Sequence, residues 1–214
     1  MAENPTDKGL ASRVEGVNVE SRVAARYRTI VADPPWRYGG VAAVGCIKQD
    51  GTPSTQVGSG DLYGSMSHEE LLALRPPAED DAHLYLWTTN AFLVEAHEIA
   101  GAWGFKQKTC LTWTKTHQSD PSRPSMKTGY YFRGATEHCL FCVRGSLKLQ
   151  TSEGLPTGYL WPRLPHSVKP DAFYDLVEKA SPGPYLEMFA RRARFGWDYW
   201  GNQSLGTAEM PVAS

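Results

Sequence analysis

At 214 residues, 41% hydrophobic and 21% charged, the chain has the size and composition of one globular domain with a substantial core. Its formal net charge of −1 is unexpected for a stand-alone nucleic-acid binder, and its four cysteines form no disulfide framework. No stretch approaches the roughly 20 apolar residues of a membrane span, and residues 1–20 lack the apolar centre of a signal peptide, so a cytoplasmic protein with no membrane partner is expected.

Residues 1–22 are polar and aperiodic and read as a flexible arm, 23–205 as the folded domain, and 206–214 as a flexible tail. The first secure strand is 27–32, running straight into Asp33-Pro34-Pro35-Trp36. Residues 39–61 are rich in Gly, Ser, Thr and Val, an unusually long loop for a compact domain and either a lid or plain disorder. Ser67 and Glu70 have capping-box spacing and open a short helix. A strand at 84–88, a helix at 91–103 ending near Gly104, and strands at 108–115 and 136–143 follow, the last two separated by a polar segment. Phe173, Leu176, Val177 and Ala180 recur at helical spacing within 171–180, and Pro182-Gly183-Pro184 then leads into a strand at 185–190. Strands and helices alternate without internal repeats, which predicts an α/β sheet covered by helices.

The Asp-Pro-Pro-Trp run is the most informative local feature. Each proline locks φ and lacks an N–H, so the neighbouring carbonyls are fixed in place and kept out of a helix. Asp33 and the Pro34 carbonyl can accept the two hydrogens of one exocyclic amine, and Trp36 can offer a face to a planar ring. The pattern suits a nucleobase amine, adenine above all. Such an amine is a poor nucleophile because its lone pair is delocalised into the ring, and two acceptors on its hydrogens favour a tetrahedral nitrogen.

Charge is unevenly spread. Residues 1–104 hold 8 basic and 14 acidic side chains, and 105–214 hold 14 and 9. Eight basic groups lie within 105–148, Lys115 and Arg133 among them, against Asp120 and Glu137. This is either a solvated loop face or a phosphate-gripping patch of modest strength. Cys139 and Cys142 flank Leu140-Phe141 and read as part of a core strand rather than a zinc or redox pair, and no metal site is expected. No Gly-x-Gly-x-x-Gly run points to nicotinamide or flavin.

The chain resembles the adenine-N6 methyltransferases of the MTA-seventy family, which includes the catalytic subunit of the eukaryotic mRNA writer and bacterial and phage DNA enzymes. The resemblance runs from about residue 27 to residue 205. It is carried in order by Asp33-Pro34-Pro35-Trp36, Leu62-Tyr63-Gly64-Ser65-Met66, Leu86-Trp87, Trp113-Thr114-Lys115, Glu137-His138-Cys139-Leu140, His166-Ser167-Val168-Lys169-Pro170, Glu187-Met188-Phe189-Ala190-Arg191 and 196–203. It implies a circularly permuted Rossmann-like class I methyltransferase fold in one domain, with S-adenosylmethionine as methyl donor. It implies Asp33, Pro34, Pro35 and Trp36 as the catalytic run. Asp33, Lys169, Glu187, Phe189, Arg191, Asn202 and Gln203 would lie on the donor side. Trp36, Tyr63, Trp113, Lys115 and Arg133 would lie on the substrate side. Ala190 replaces the family's usual glycine, as a small residue that still permits close approach.

The implied polymer is DNA rather than RNA. Target choice would rest with loops 39–61 and 116–134, with a homodimer or with a partner subunit. His138 reads as structural, because methyl transfer to an amine needs no strong base, while His166 stays open. Trp103, Trp161, Trp197 and Trp200 read as packing aromatics, and Arg192 and Arg194 as surface or phosphate contacts.

Overall fold

The computed structural model describes residues 26–37, 65–126, 131–165 and 168–201. The expected arm, tail and 39–61 loop, together with Tyr63, His166, Asn202 and Gln203, lie outside the described residues.

Strands β1 (Tyr27–Ala32), β2 (Ala78–Thr88), β3 (Lys106–Thr116), β4 (Thr136–Arg144), β5 (Gly158–Pro162), β6 (Tyr185–Met188) and β7 (Trp197–Trp200) form one sheet in the order β5-β3-β4-β2-β1-β6-β7. Helix α1 (His68–Ala73) lies on the β1–β2 connection, α2 (Leu93–Ala102) on the β2–β3 connection and α3 (Asp171–Ala180) on the β5–β6 connection. Of the described strands β4 alone is antiparallel to its neighbours; all other pairings are parallel.

Side chains alternate between the two faces of each strand, and each face has its own helical cover. Ile30, Ala32, Leu84, Leu86, Leu140, Cys142, Leu186 and Met188 pack with Leu71 of α1, Ile99 of α2 and Trp103. Val31, Tyr85, Trp87, Trp113 and Cys139 pack with Phe173, Tyr174 and Val177 of α3. This three-layer arrangement explains why Ile30-Val31-Ala32 of β1 is an unbroken apolar run, since that part of the strand is buried on both faces. Both central cysteines are core residues of β4.

Several boundaries differ from the sequence reading. β2 begins at Ala78, because Ala78 pairs with Tyr27 of β1 ahead of the apolar stretch, and a register shift carries the chain through Glu79, Asp80 and Asp81 to His83. β5 and β7 are short strands at the two sheet edges, and local periodicity is too brief to announce them. β6 ends at Met188 because Phe189 turns to φ 62°. The helix expected from Ala91 begins as a single 3-10 turn, Asn90–Phe92, before α2 proper. α1 has its full capping box: Ser67 Oγ accepts from Glu70 N–H, and the Glu70 carboxylate accepts from Ser67 N–H at 2.6 Å.

Candidate active site

In parallel α/β sheets, ligands bind in the crevice beyond the carboxyl ends of the strands. Asp33 stands at that end of β1, and Glu187 and Phe189 at the end of β6, which pairs directly with β1 through Ala32 and Met188. Because β4 runs the other way, its beginning brings Glu137 and His138 to the same edge, opposite Trp113 and Thr112 of β3.

Lys169, just before α3, joins these elements. Its Nζ lies 2.8 Å from Asp33 Oδ2 and 3.1 Å from Glu137 Oε2, and 4.9 Å from the centre of the Trp87 ring. Glu137 Oε1 accepts a hydrogen bond from Lys115, whose ammonium sits over Trp113. The result is an alternating row, Asp33–Lys169–Glu137–Lys115. The Lys169 side chain is only 8% exposed, so it stays charged through its partners. Burial favours the neutral amine, but Asp33 and Glu137 outweigh it and hold Lys169 above the ordinary lysine value. Burial likewise raises Glu137, yet Lys169 and Lys115 reverse this and bring it down to about 2.

Local hydrogen bonds orient the carbonyls of the two prolines. Trp36 N–H donates to the Pro34 carbonyl at 2.8 Å, and Met66 N–H donates to the Pro35 carbonyl at 3.0 Å. A carbonyl oxygen has two lone pairs, so Pro34 keeps one acceptor position in a fixed direction. Asp33 Oδ2 is held by Lys169, while Oδ1 has no partner among the described residues.

Other expected site residues sit differently. Trp36 is 7% exposed and stacked on Phe92, with centroids 5.1 Å apart, so its ring serves as packing rather than as an open platform. Trp113 is also a core residue, donating from Nε1 to the Trp161 carbonyl at 2.9 Å. Lys115 is buried against Glu137, and Arg144 donates to the Trp103 carbonyl, so neither belongs to a solvent-facing basic patch. Arg133 is exposed, in the loop before β4.

Glu187 is buried and accepts from Tyr174 Oη at 2.6 Å; burial, with the nearby Asp33, raises its carboxyl above the usual range. Arg191 lies half-buried in the β6–β7 link. Gly201 lies against the backbone of Ala190, where an added Cβ would meet Ala190 N at 2.8 Å. Arg192 and Arg194 are fold contacts: Arg192 pairs with Asp171, and Arg194 with Asp175 at 2.8 Å and Glu178 at 2.9 Å.

His138 is held on both sides, by Thr112 Oγ1 at 3.1 Å and by Asn90, and burial lowers its pKa against the pull of Glu137. Both ring nitrogens are thus engaged within the fold. Glu137 is the residue that sequence reasoning passed over. Its signal was its place next to His138 at the start of an apolar strand, which an antiparallel β4 carries to the ligand edge.

A family model described as MT-A70 matches residues 27–203. The chain is 27% identical over 190 residues to the N(6)-adenosine-methyltransferase MT-A70-like protein of Drosophila melanogaster. It is 26% identical over 186 residues to the N(6)-adenosine-methyltransferase catalytic subunit METTL3 of Homo sapiens. These alignments take in 86% and 85% of this chain but 28% and 29% of those proteins, so the chain spans less than a third of their length. It is 30% identical over 189 residues to the type II methyltransferase M.MunI of Mycoplasma sp, covering 82% of this chain and 77% of that protein.

Proposed function

The chain belongs to the MT-A70 family, and on that premise we propose that it transfers a methyl group from S-adenosylmethionine to the N6 amine of adenine in DNA. The observation that carries this reading is Asp33, fixed by Lys169 at 2.8 Å at the end of β1, directly beside the end of β6. We read the fold as circularly permuted, because the acceptor run on β1 comes early in the chain and its sheet neighbour β6 comes late.

Asp33 Oδ1 and the free lone pair of the Pro34 carbonyl suit the two hydrogens of one amine. Holding both hydrogens turns the nitrogen lone pair out of the ring and toward the methyl carbon, which is catalysis by orientation. As the N–C bond formed, the donor's S–C bond would break and release the neutral thioether; the nitrogen would then carry one proton too many, which Asp33 would take and pass to solvent. Lys169 holds Oδ2 and so leaves Oδ1 for the amine.

S-adenosylmethionine supplies the electrophilic methyl when bound. Lys169 uses two N–H groups on Asp33 and Glu137, so the third suits a ligand carboxylate. Glu187, Phe189 and Arg191 line the turn where the rest of such a ligand would lie, and Asn202 and Gln203 remain candidates from the sequence alone. In a duplex the target amine is inside the stack, so the base must be flipped out or the strand unpaired.

The choice of DNA rests on the match to M.MunI over most of that protein's length. RNA is the second reading, favoured by the names of the eukaryotic adenosine methyltransferases. Isotope-labelled S-adenosylmethionine, offered with matched duplex DNA, single-stranded DNA and RNA, tests both. Labelled N6-methyladenine in DNA, lost in Asp33→Ala, is the expected result. Label in RNA alone would replace the polymer, and full activity in Asp33→Ala would remove the mechanism. Failure to bind the donor in calorimetry would point to a non-catalytic nucleic-acid-binding subunit.

A further inference from the structure

Tyr174 is the side chain of α3 that reaches the end of β6. Its hydroxyl donates to Glu187 Oε1 at 2.6 Å, with Tyr174 3% and Glu187 8% exposed. The ring that carries this hydroxyl is held on several sides. Phe173 and Trp197 meet it edge-on, with centroids 5.4 and 5.5 Å away, and the Arg194 and Arg192 guanidinium groups lie 5.2 and 5.6 Å from its centre. Those arginines are tied in turn to Asp171, Asp175 and Glu178 of the same helix. Burial and then the Glu187 charge raise the phenol, so it stays a hydrogen-bond donor well above neutral pH.

A carboxylate with one oxygen on a fixed donor keeps the other for a ligand, and Glu187 Oε2 has no partner among the described residues. Charged and titratable groups face Glu187 from each element around it: Tyr174 of α3, Asp33 after β1, Arg192 in the β6–β7 link and Lys169 before α3, with Tyr199 of β7 as its register partner. Burial favours the protonated acid. The Tyr174 hydroxyl is the strongest influence against it; Asp33 acts with burial, and Arg192 and Lys169 act with Tyr174. Ammonium and hydroxyl groups bind an ionised carboxylate more strongly than a protonated one.

We propose that Tyr174 is a positioning residue for the methyl donor: its hydroxyl keeps Glu187 a carboxylate and leaves Oε2 to accept from the donor's ribose hydroxyls or ammonium. The inference rests on the donor-binding reading above and adds that one proton on Glu187 gates the donor's affinity.

Calorimetric titration of S-adenosylhomocysteine, which keeps the donor's amino-acid and ribose groups, into the full chain at a series of pH values from acid to mildly alkaline tests it. Wild-type affinity is expected to fall only at the acid end, where Glu187 takes up a proton. Tyr174→Phe keeps the ring and its contacts. Its fall is expected about one to two pH units higher, with up to about tenfold lost per unit below that point and recovery toward wild type in mild alkali. Glu187→Gln is expected to bind weakly at every pH and to make Tyr174→Phe silent in its background. The same series with 5′-methylthioadenosine, which lacks the amino-acid end, separates the two ligand groups: a shift that persists assigns Oε2 to the ribose, and one that vanishes assigns it to the ammonium. A Tyr174→Phe profile that follows wild type overturns the proposal. So does a loss by one factor at every pH, the mark of a structural role alone. Calorimetry of wild type in two buffers of different ionisation heat adds a check without that variant: binding at the acid end should release a proton that Glu187→Gln does not, and equal release in both overturns the proposal. A wild-type chain that binds S-adenosylhomocysteine at no pH overturns the donor reading itself, a failure distinct from a bound ligand with an unshifted profile.

Discussion

Glu137 balances two lysines with one carboxylate, and its acidity makes that balance measurable. Its folded pKa, about 2, lies below the ordinary 4.5. The stability it contributes is therefore complete above about pH 4.5 and is lost as pH falls toward 2. Lys169 is shifted the other way, upward, so its contribution persists through neutral pH and fails only in strong base. Glu137→Gln leaves both ammonium groups short of a partner, and urea unfolding at pH 7 should show a loss of about 3–5 kcal/mol. The same titrations in acid should show a flatter loss of stability between pH 4.5 and 2 than in wild type. Trp36 makes the opposite point about single residues. Its aromatic character was legible, but its stacking on Phe92 depends on a helix nearly sixty positions away in the chain. Trp36→Ala should cost about 3–5 kcal/mol in thermal unfolding; an unchanged melt with weakened substrate binding would restore the platform role.

At the scale of elements, legibility followed how much of each signal was local. α3 was readable to the residue, because four apolar side chains at helical spacing lie between a proline and a Ser-Pro turn. The capping box of α1 was equally clear, being a matter of two residues three apart. α1 is only six residues long, so that box is a large share of what holds it. Ser67→Ala should cost about 1 kcal/mol in equilibrium unfolding, with a frayed α1 seen as faster amide exchange at Leu71. β5 and β7 were not legible. Each is short and gains its identity from a partner strand, Thr112–Thr116 for β5 and β6 for β7. The start of β2 was hidden for the same reason, since the pairing of Ala78 with Tyr27 rather than side-chain pattern begins the strand.

For the molecule as a whole, the two faces of the sheet are unequally protected. α1 and α2 share one face, whereas α3 is the one described helix over the other. Phe173 of α3 meets both Tyr85 and Trp87, with centroids 6.0 and 4.7 Å away. Phe173→Ala should therefore remove about 3–5 kcal/mol and loosen the segment that delivers Lys169. Chemical denaturation should show the stability loss, and donor titration a weaker affinity for S-adenosylmethionine. Intact affinity in that variant would mean that Lys169 is held by its ion pairs alone. That Glu137 joins Asp33 and Lys169 could not be read from the chain, because it depends on the reversed direction of β4.

The two lysines of the charged row rest on indole rings, Lys115 on Trp113 and Lys169 on Trp87, with Nζ 4.6 and 4.9 Å from the ring centres. A positive charge poised over an indole alters the colour and yield of its fluorescence. Any ligand that draws Lys169 aside would change the light emitted by Trp87, and Lys169→Met would silence that change. Such a change would serve as an intrinsic optical reporter, readable without a dye, of what reaches Lys169 beyond the carboxyl ends of β1 and β6.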